Sequence, residues 1–260
     1  MDWPLIGIGF GASLAAGAAT GVGALFVLLV RKLSDALNDA LLGFSAGVML
    51  AASFFSLILP GIKYAETQLA STTLAALVII VALMLGAAAL SIVNRHVPHE
   101  HFILGLKGVE TRRLQRVWLF VIAITLHNFP EGLAVGVGYG GGDIAAGTAL
   151  AIGIGLQNVP EGLAVATALV SLGYSRFLGF TVGAATGLVE PVGGLLGVIA
   201  VTVFQPLLPW GLGFAAGAML FVVSNEIVPE THRRGHEELA TYGLMIGLAL
   251  MMFLDVTLTK

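Results

Sequence analysis

The decapeptide HNFPEGLAVG, His127 to Gly136, returns thirty residues later as QNVPEGLAVA, Gln157 to Ala166. On a helix, positions i and i+4 stand one turn apart on the same face, so His127 with Glu131, and Gln157 with Glu161, can each close on a common point. Imidazole, carboxylate and amide oxygen together suit a borderline first-row cation such as Zn²⁺, Fe²⁺ or Mn²⁺, whereas an all-oxygen shell would favour Mg²⁺ or Ca²⁺. Pro130 and Pro160 lack an N–H, which leaves a carbonyl one turn earlier without its helical partner and bends the helix. Helix packing alone gives no reason to repeat His/Gln-Asn-x-Pro-Glu-Gly on neighbouring segments, so the pair reads as two halves of a metal shell.

Two more acids lie in apolar surroundings, Glu190 before Pro191 and Glu226 before Ile227, and no Lys or Arg lies deep in any apolar stretch. A charged carboxylate in hydrocarbon costs about 2.5 to 3.5 kcal/mol even on lenient insertion scales, so these groups need a bound cation or protons. With this many carboxylates, two adjacent metals sharing bridging glutamates are expected. Met49 either supplies a thioether or fills the core. Glu226 is either a gate or a protonated acid bonded to a freed carbonyl. His96, His99 and His101 with Glu100 either capture a metal transiently or are simply solvated, and His232 and His236 are expected to face water.

The elements that must carry these groups are membrane helices. Of the residues, 57% are hydrophobic and 10% charged, against about 25% charged in an ordinary soluble domain. Apolar stretches long enough for the roughly 20 residues a helix needs to cross a bilayer occur eight times, over residues 4–30, 38–60, 70–94, 116–139, 144–171, 177–203, 210–228 and 239–258. The chain is therefore expected to be one transmembrane unit, 1–260, whose longest connection, 95–115, carries the histidines. No basic run precedes the first apolar stretch, so that helix is expected to be retained. Having no cysteine, the chain offers no thiolate ligand and no disulfide. The net charge of −3 identifies no partner, and no nucleic acid is expected.

Numbering the connections between spans, the odd ones hold Arg31, Lys32, Arg95, Lys107, Arg112, Arg113, Arg116, Arg176, Arg233 and Arg234, and the even ones only Lys63. The positive-inside rule puts the odd connections in the cytoplasm and both termini outside, in the cell's plasma or inner membrane. A second regularity links spans two and seven: GFSAGVMLAASFFSLILP, Gly43 to Pro60, aligns with GFAAGAMLFVVSNEIVPE, Gly213 to Glu230, matching Phe44 with Phe214 and Met49 with Met219. These spans run in opposite directions, and such inverted repeats are a recurring plan of secondary transporters, with the substrate site near the midplane.

On the doubled motif, the Glu190–Pro191 step and the eight-span layout, the chain resembles the ZIP (Zrt/Irt-like) metal transporters, near the bacterial GufA-type members. The resemblance covers nearly the whole length. It implies helices arranged as three, two and three, dimers, and an elevator-like movement of one helix group against another. It further implies a main site of Met49, His127, Glu131, Gln157 and Glu161 beside a second of Asn128, Glu131, Asn158, Glu161 and Glu190, the shared glutamates bridging. The chain departs from the resemblance at Asn158, where some close relatives carry Asp, and at Asn225, where many carry His. The expected activity is import of divalent cations, zinc first, with Cd²⁺, Fe²⁺, Co²⁺ and Mn²⁺ also fitting. An intramembrane metallohydrolase and a proton-coupled carrier of a non-metal solute are the rival readings. The first lacks an HExxH pair, and the second leaves the doubled amides unexplained.

Overall fold

Asp2, Ser34, Asp143 and Ser175 each accept a hydrogen bond from the backbone N–H three residues ahead, at 3.0 to 3.2 Å. A short polar side chain in this position satisfies one of the N–H groups that a helix start leaves unpaired. The computed structural model describes residues 2–29, 33–96, 109–233 and 235–259. Among them there is no strand, and eight helices are long and apolar enough to cross a membrane: α1 (Trp3–Leu28), α2 (Asp35–Leu69), α3 (Thr72–Arg95), α4 (Val117–Gly140), α5 (Ile144–Ser171), α6 (Arg176–Val203), α7 (Gln205–Thr231) and α8 (Glu237–Leu258). The protein is a multi-pass membrane protein.

The largest departure from the expected spans is α2, which continues through Pro60 to Leu69. Proline is tolerated where its missing N–H is not needed, and Pro60 sits in the first turn after a π-helical stretch, Ala52–Ile58, that already breaks the regular bonding. Beyond it Gly61 and Ala65 are buried, Gly61 against Ile79 and Leu212. Lys63, the lone base expected in an even connection, therefore lies on this helical extension.

The helices sort into two groups. α1, α4, α5 and α6 pack mainly on one another, with α1 on α5 and α4 on α6, while α2 packs on α8 and α3 on α7. Inverted duplication explains the pairing: an offset of 170 residues relates α1 to α6 and α2 to α7, an offset of thirty relates α4 to α5, and α3 corresponds to α8. Contacts repeat under these offsets. Gly17 and Gly187 face each other so closely that a Cβ on either would strike the other's carbonyl oxygen. Gly162 meets the carbonyl of Thr20 as Gly132 meets that of Glu190, and Gly23 meets Val159 as Gly193 meets Phe129. A π-helical stretch also recurs at the corresponding place in α7, Val223–Ile227. The duplication visible in the sequence between α2 and α7, and in the doubled motif of α4 and α5, thus extends through the whole bundle as a three-two-three architecture.

Two cavities penetrate this frame. One of about 910 Å³ opens on the side of the odd-numbered connections, lined by Asn38, Asn94, Glu226, Glu230 and Arg233, and reaches Leu126 and Ala164 beside the doubled motif. Arg233 pairs with Glu230 at 3.0 Å at its mouth. On the opposite side a smaller cavity of about 440 Å³ is lined by Ser56, Lys63, Tyr64, Asp143 and Asp255, and ends at Leu150 and Leu212. The two are counterparts under the duplication, Ser56 answering to Glu226 and Lys63 to Arg233.

Candidate metal centre

Gly132 and Gly162 bring α4 onto α6 and α5 onto α1 at backbone distance, which sets the turns carrying Glu131 and Glu161 deep in the four-helix group. The side chains of the motif are then fully withdrawn from solvent: Glu131, Gln157, Asn158, Glu161 and Glu190 are 0% exposed, and His127 and Asn128 are 1%. His127 Nε2 lies 3.2 Å from Glu131 Oε1 and 3.8 Å from Glu161 Oε2. One ligand atom from each of His127, Glu131 and Glu161 falls within 4.8 Å of the other two, a spacing that a single cation can span. The Gln157 amide donates to Glu131 Oε1, which ties the second copy of the motif to the first.

A second nest of oxygens adjoins the first. Asn128 donates its amide N–H to the carbonyl of Thr186 at 2.9 Å, and Asn158 donates to the carbonyl of Ala16 at 2.8 Å and to Glu190 Oε1 at 2.7 Å. Both amide nitrogens are thus committed to α6 and α1, and both amide oxygens are left without a hydrogen bond, as are Glu131 Oε2, both oxygens of Glu161, Gln157 Oε1 and Glu190 Oε2. Buried acceptors are almost always paired, and an unpaired one costs about 1 to 3 kcal/mol. Seven acceptor atoms without donors, around three carboxylates and no Lys or Arg, form an arrangement that a bound cation, or protons on the carboxylates, would satisfy. A transition-metal cation fits the mixture of imidazole, carboxylate and amide better than an alkaline-earth ion does.

Pseudo-symmetry governs the details. Ala16 and Thr186, whose carbonyls hold the two asparagines, are 170 residues apart, as are Thr20 and Glu190, which lie across from each other with Thr20 Oγ1 3.5 Å from Glu190 Oε1. The symmetry is broken where the chemistry differs: Gln157 takes the place that His127 has in the other copy, and Glu190 lies across from the hydroxyl of its counterpart Thr20. The carbonyl supports and Thr20 are absent from the sequence reading, because the repeat noticed there was confined to residues 43–60 and 213–230. Extending its offset to α1 and α6 would have found them.

Met49 is fully buried in the core cluster that also contains Ala134 of α4 and Ala164 of α5, and Ser45, one turn earlier, donates to the carbonyl of Gln157 at 3.1 Å. The face of α2 that carries Met49 therefore meets the ligand turn. Glu226 stands apart from the cluster, lining the larger cavity while still close enough to His127 for their charges to interact. His99 and His101 lie outside the described residues. His236 keeps part of the exposure expected of it, its side chain being 34% exposed, but its Nδ1 also lies 2.9 Å from Oδ2 of the fully buried Asp39, joining the start of α8 to that of α2, as a buried carboxylate requires polar partners. His232 is exposed as expected and bonds the carbonyl of Val228.

Residues 105–255 match the sequence profile of the ZIP zinc transporters. The zinc transporter ZIPB of Bordetella bronchiseptica is 49% identical over 241 residues, covering 93% of this chain and 78% of that protein. GufA of Myxococcus xanthus, also a zinc transporter, is 44% identical over 253 residues, 97% of this chain and 100% of the relative. Human zinc transporter ZIP11 is 32% identical over 320 residues, 92% and 94% of the two chains. These relatives are named as transporters and not as enzymes, which sets aside the hydrolase reading. The chain belongs to the ZIP family of zinc transporters.

Proposed function

We propose that the protein imports divalent transition-metal cations, zinc foremost and Cd²⁺, Fe²⁺, Mn²⁺ or Co²⁺ as further substrates, by alternating access through a binuclear site between α4 and α5. The supporting observation is the buried cluster of His127, Glu131 and Glu161 with its unpaired acceptors and no basic partner. One ion is held by His127, Glu131, Gln157 and Glu161 with Met49 alongside, and the other by Asn128, Asn158, Glu190 and the same two glutamates. Glu226 in the larger cavity then receives the leaving ion, with His99 and His101 of the 95–115 connection beyond it on the cytoplasmic side. In this reading the chain, 1–260, is a single transporter unit of the cell membrane, surrounded by lipid, with both termini outside and a second copy as its dimer partner.

The deciding experiment is uptake of labelled zinc into proteoliposomes holding the pure protein. Saturable uptake lost in His127→Ala establishes a carrier working through the motif, and zinc binding without flux in wild type removes the carrier reading. Stoichiometry tests the second site: wild type should bind two zinc ions per chain and Glu190→Gln one, as read by metal analysis after equilibrium dialysis. Acidity should act through the same ligands. Metal binds their deprotonated forms and releases protons, so protons compete, and apparent affinity should fall by up to about tenfold per pH unit below neutral for each proton displaced. Uptake that stays constant from neutral to mildly acid pH, with the protein still folded, would exclude these ligands.

A further inference from the structure

Among the described residues, ten buried side-chain nitrogen and oxygen atoms have no hydrogen-bond partner; nine belong to the metal centre, and the tenth is Ser53 Oγ. A hydroxyl inside a membrane helix ordinarily returns its proton to a carbonyl three or four residues back. Thr125, Thr148, Thr202 and Thr257 do so here at 2.7 Å. Ser53 is 0% exposed and does not.

Its position gives the unpaired hydroxyl a meaning. Ser45, Met49 and Ser53 follow at intervals of four on one face of α2, all fully buried, and Ser45 fixes that face against the carbonyl of Gln157 in the ligand turn. Ser53 is thus one turn beyond Met49, on the side away from the larger cavity. Three residues further on, Ser56 donates to Asp255 Oδ1 at 2.8 Å in the smaller cavity. Ser53 therefore occupies the closed layer between the floor of the smaller cavity and the metal centre, and it lines neither cavity. The π-helical geometry of this stretch does not require it, since Val223 fills the corresponding place in the equivalent stretch of α7.

We propose that Ser53 Oγ is the intermediate oxygen for an incoming divalent cation, taking one coordination position as the ion leaves the smaller cavity and releasing it to the carboxylates of the centre. A neutral hydroxyl binds such an ion more weakly than the carboxylates beyond it, so the transfer runs toward the centre. The inference rests on the transport reading and on the smaller cavity facing outward.

The chain contains no cysteine, so Ser53→Cys introduces its only thiol. In cells that express this variant, a membrane-impermeant methanethiosulfonate added outside should label Cys at position 53 although the site is closed in the present conformation. Zinc should slow the labelling several-fold. Ala51→Cys, on the face that Gly43 and Gly47 seat against α8, should stay unlabelled. Ser53→Ala should lower the initial zinc uptake rate about tenfold, the loss of one polar interaction, with equilibrium zinc binding at the centre unchanged, and Ser53→Thr should restore most of the rate. Wild-type uptake in Ser53→Ala, or a thiol at 53 that outside reagent never reaches while wild type transports, overturns the assignment. Absence of zinc flux in wild type would instead overturn the transport reading, and this outcome is read in the same cells before any variant is compared.

Discussion

Glu161→Gln should reduce zinc uptake about 100-fold or more, a loss of roughly 2.7 kcal/mol in apparent metal stabilisation, while making the metal-free protein more resistant to heat. The two effects have one origin. Glu161 is fully buried, shares His127 with Glu131, and has both oxygens without hydrogen-bond donors. Without metal it is one of three carboxylates confined to a space with no Lys or Arg. Glutamine keeps the shape, removes an ionisable group from the crowded cluster and brings its own permanent donor for the unpaired oxygens nearby. With metal the balance reverses, because the substitution deletes an anionic ligand that both sites are inferred to share. Melting curves in detergent with and without zinc separate the two: wild type should gain stability in proportion to RT ln(1 + [Zn]/Kd), and the variant should start higher and gain little. A variant that melts lower without metal would mean that Glu161 is a structural partner rather than a ligand.

Gly162→Ala should be among the most damaging single methyl groups in the helix group that holds the centre. A Cβ at 162 lands on the carbonyl oxygen of Thr20, which is backbone in the middle of α1 and has no rotamer to yield. Overpacking of this kind costs about 3 kcal/mol at the upper end of its usual range, since relief requires the two helices to move apart. Separation would also pull Asn158 from the carbonyl of Ala16 and from Glu190, so zinc binding should weaken along with stability. Gly7→Ala is the matched control on α1, with nothing within 4 Å of the new methyl. Equal melting temperatures for the two variants would show that α1 and α5 are not seated as closely as described.

The clustering of the candidate ligands was legible in the sequence because its signal is chemical and local. His127, Glu131, Gln157 and Glu161 sit four residues apart in two copies, and a spacing of four on a helix converts directly into a shared face. The spans were legible for the same reason, each being a run of apolar residues of bilayer length. The second set of contacts was not. Asn128 and Asn158 are held by backbone carbonyls of Thr186 and Ala16, and a carbonyl has no letter of its own in a sequence. The pairing of His236 with Asp39 escaped for a related reason: the partners lie 197 positions apart, and only the seating of α8 on α2 through Gly43, Gly47, Gly243 and Gly247 brings them together. Pro60 misled in the other direction. It ordinarily marks the end of a helix, but after the π-helical stretch its missing N–H breaks nothing.

The mutual approach of Gly17 and Gly187 bears on how this bundle can change by mutation. In most tight contacts a larger side chain on one helix can be accommodated by a smaller one opposite, so a damaging change has a second-site suppressor. Here each Cβ would meet the other residue's carbonyl oxygen, and no substitution in the facing helix removes a carbonyl. An alanine at either position is therefore beyond genetic rescue from its neighbour. A suppressor screen started from Gly17→Ala should return true revertants, with no compensating change at position 187.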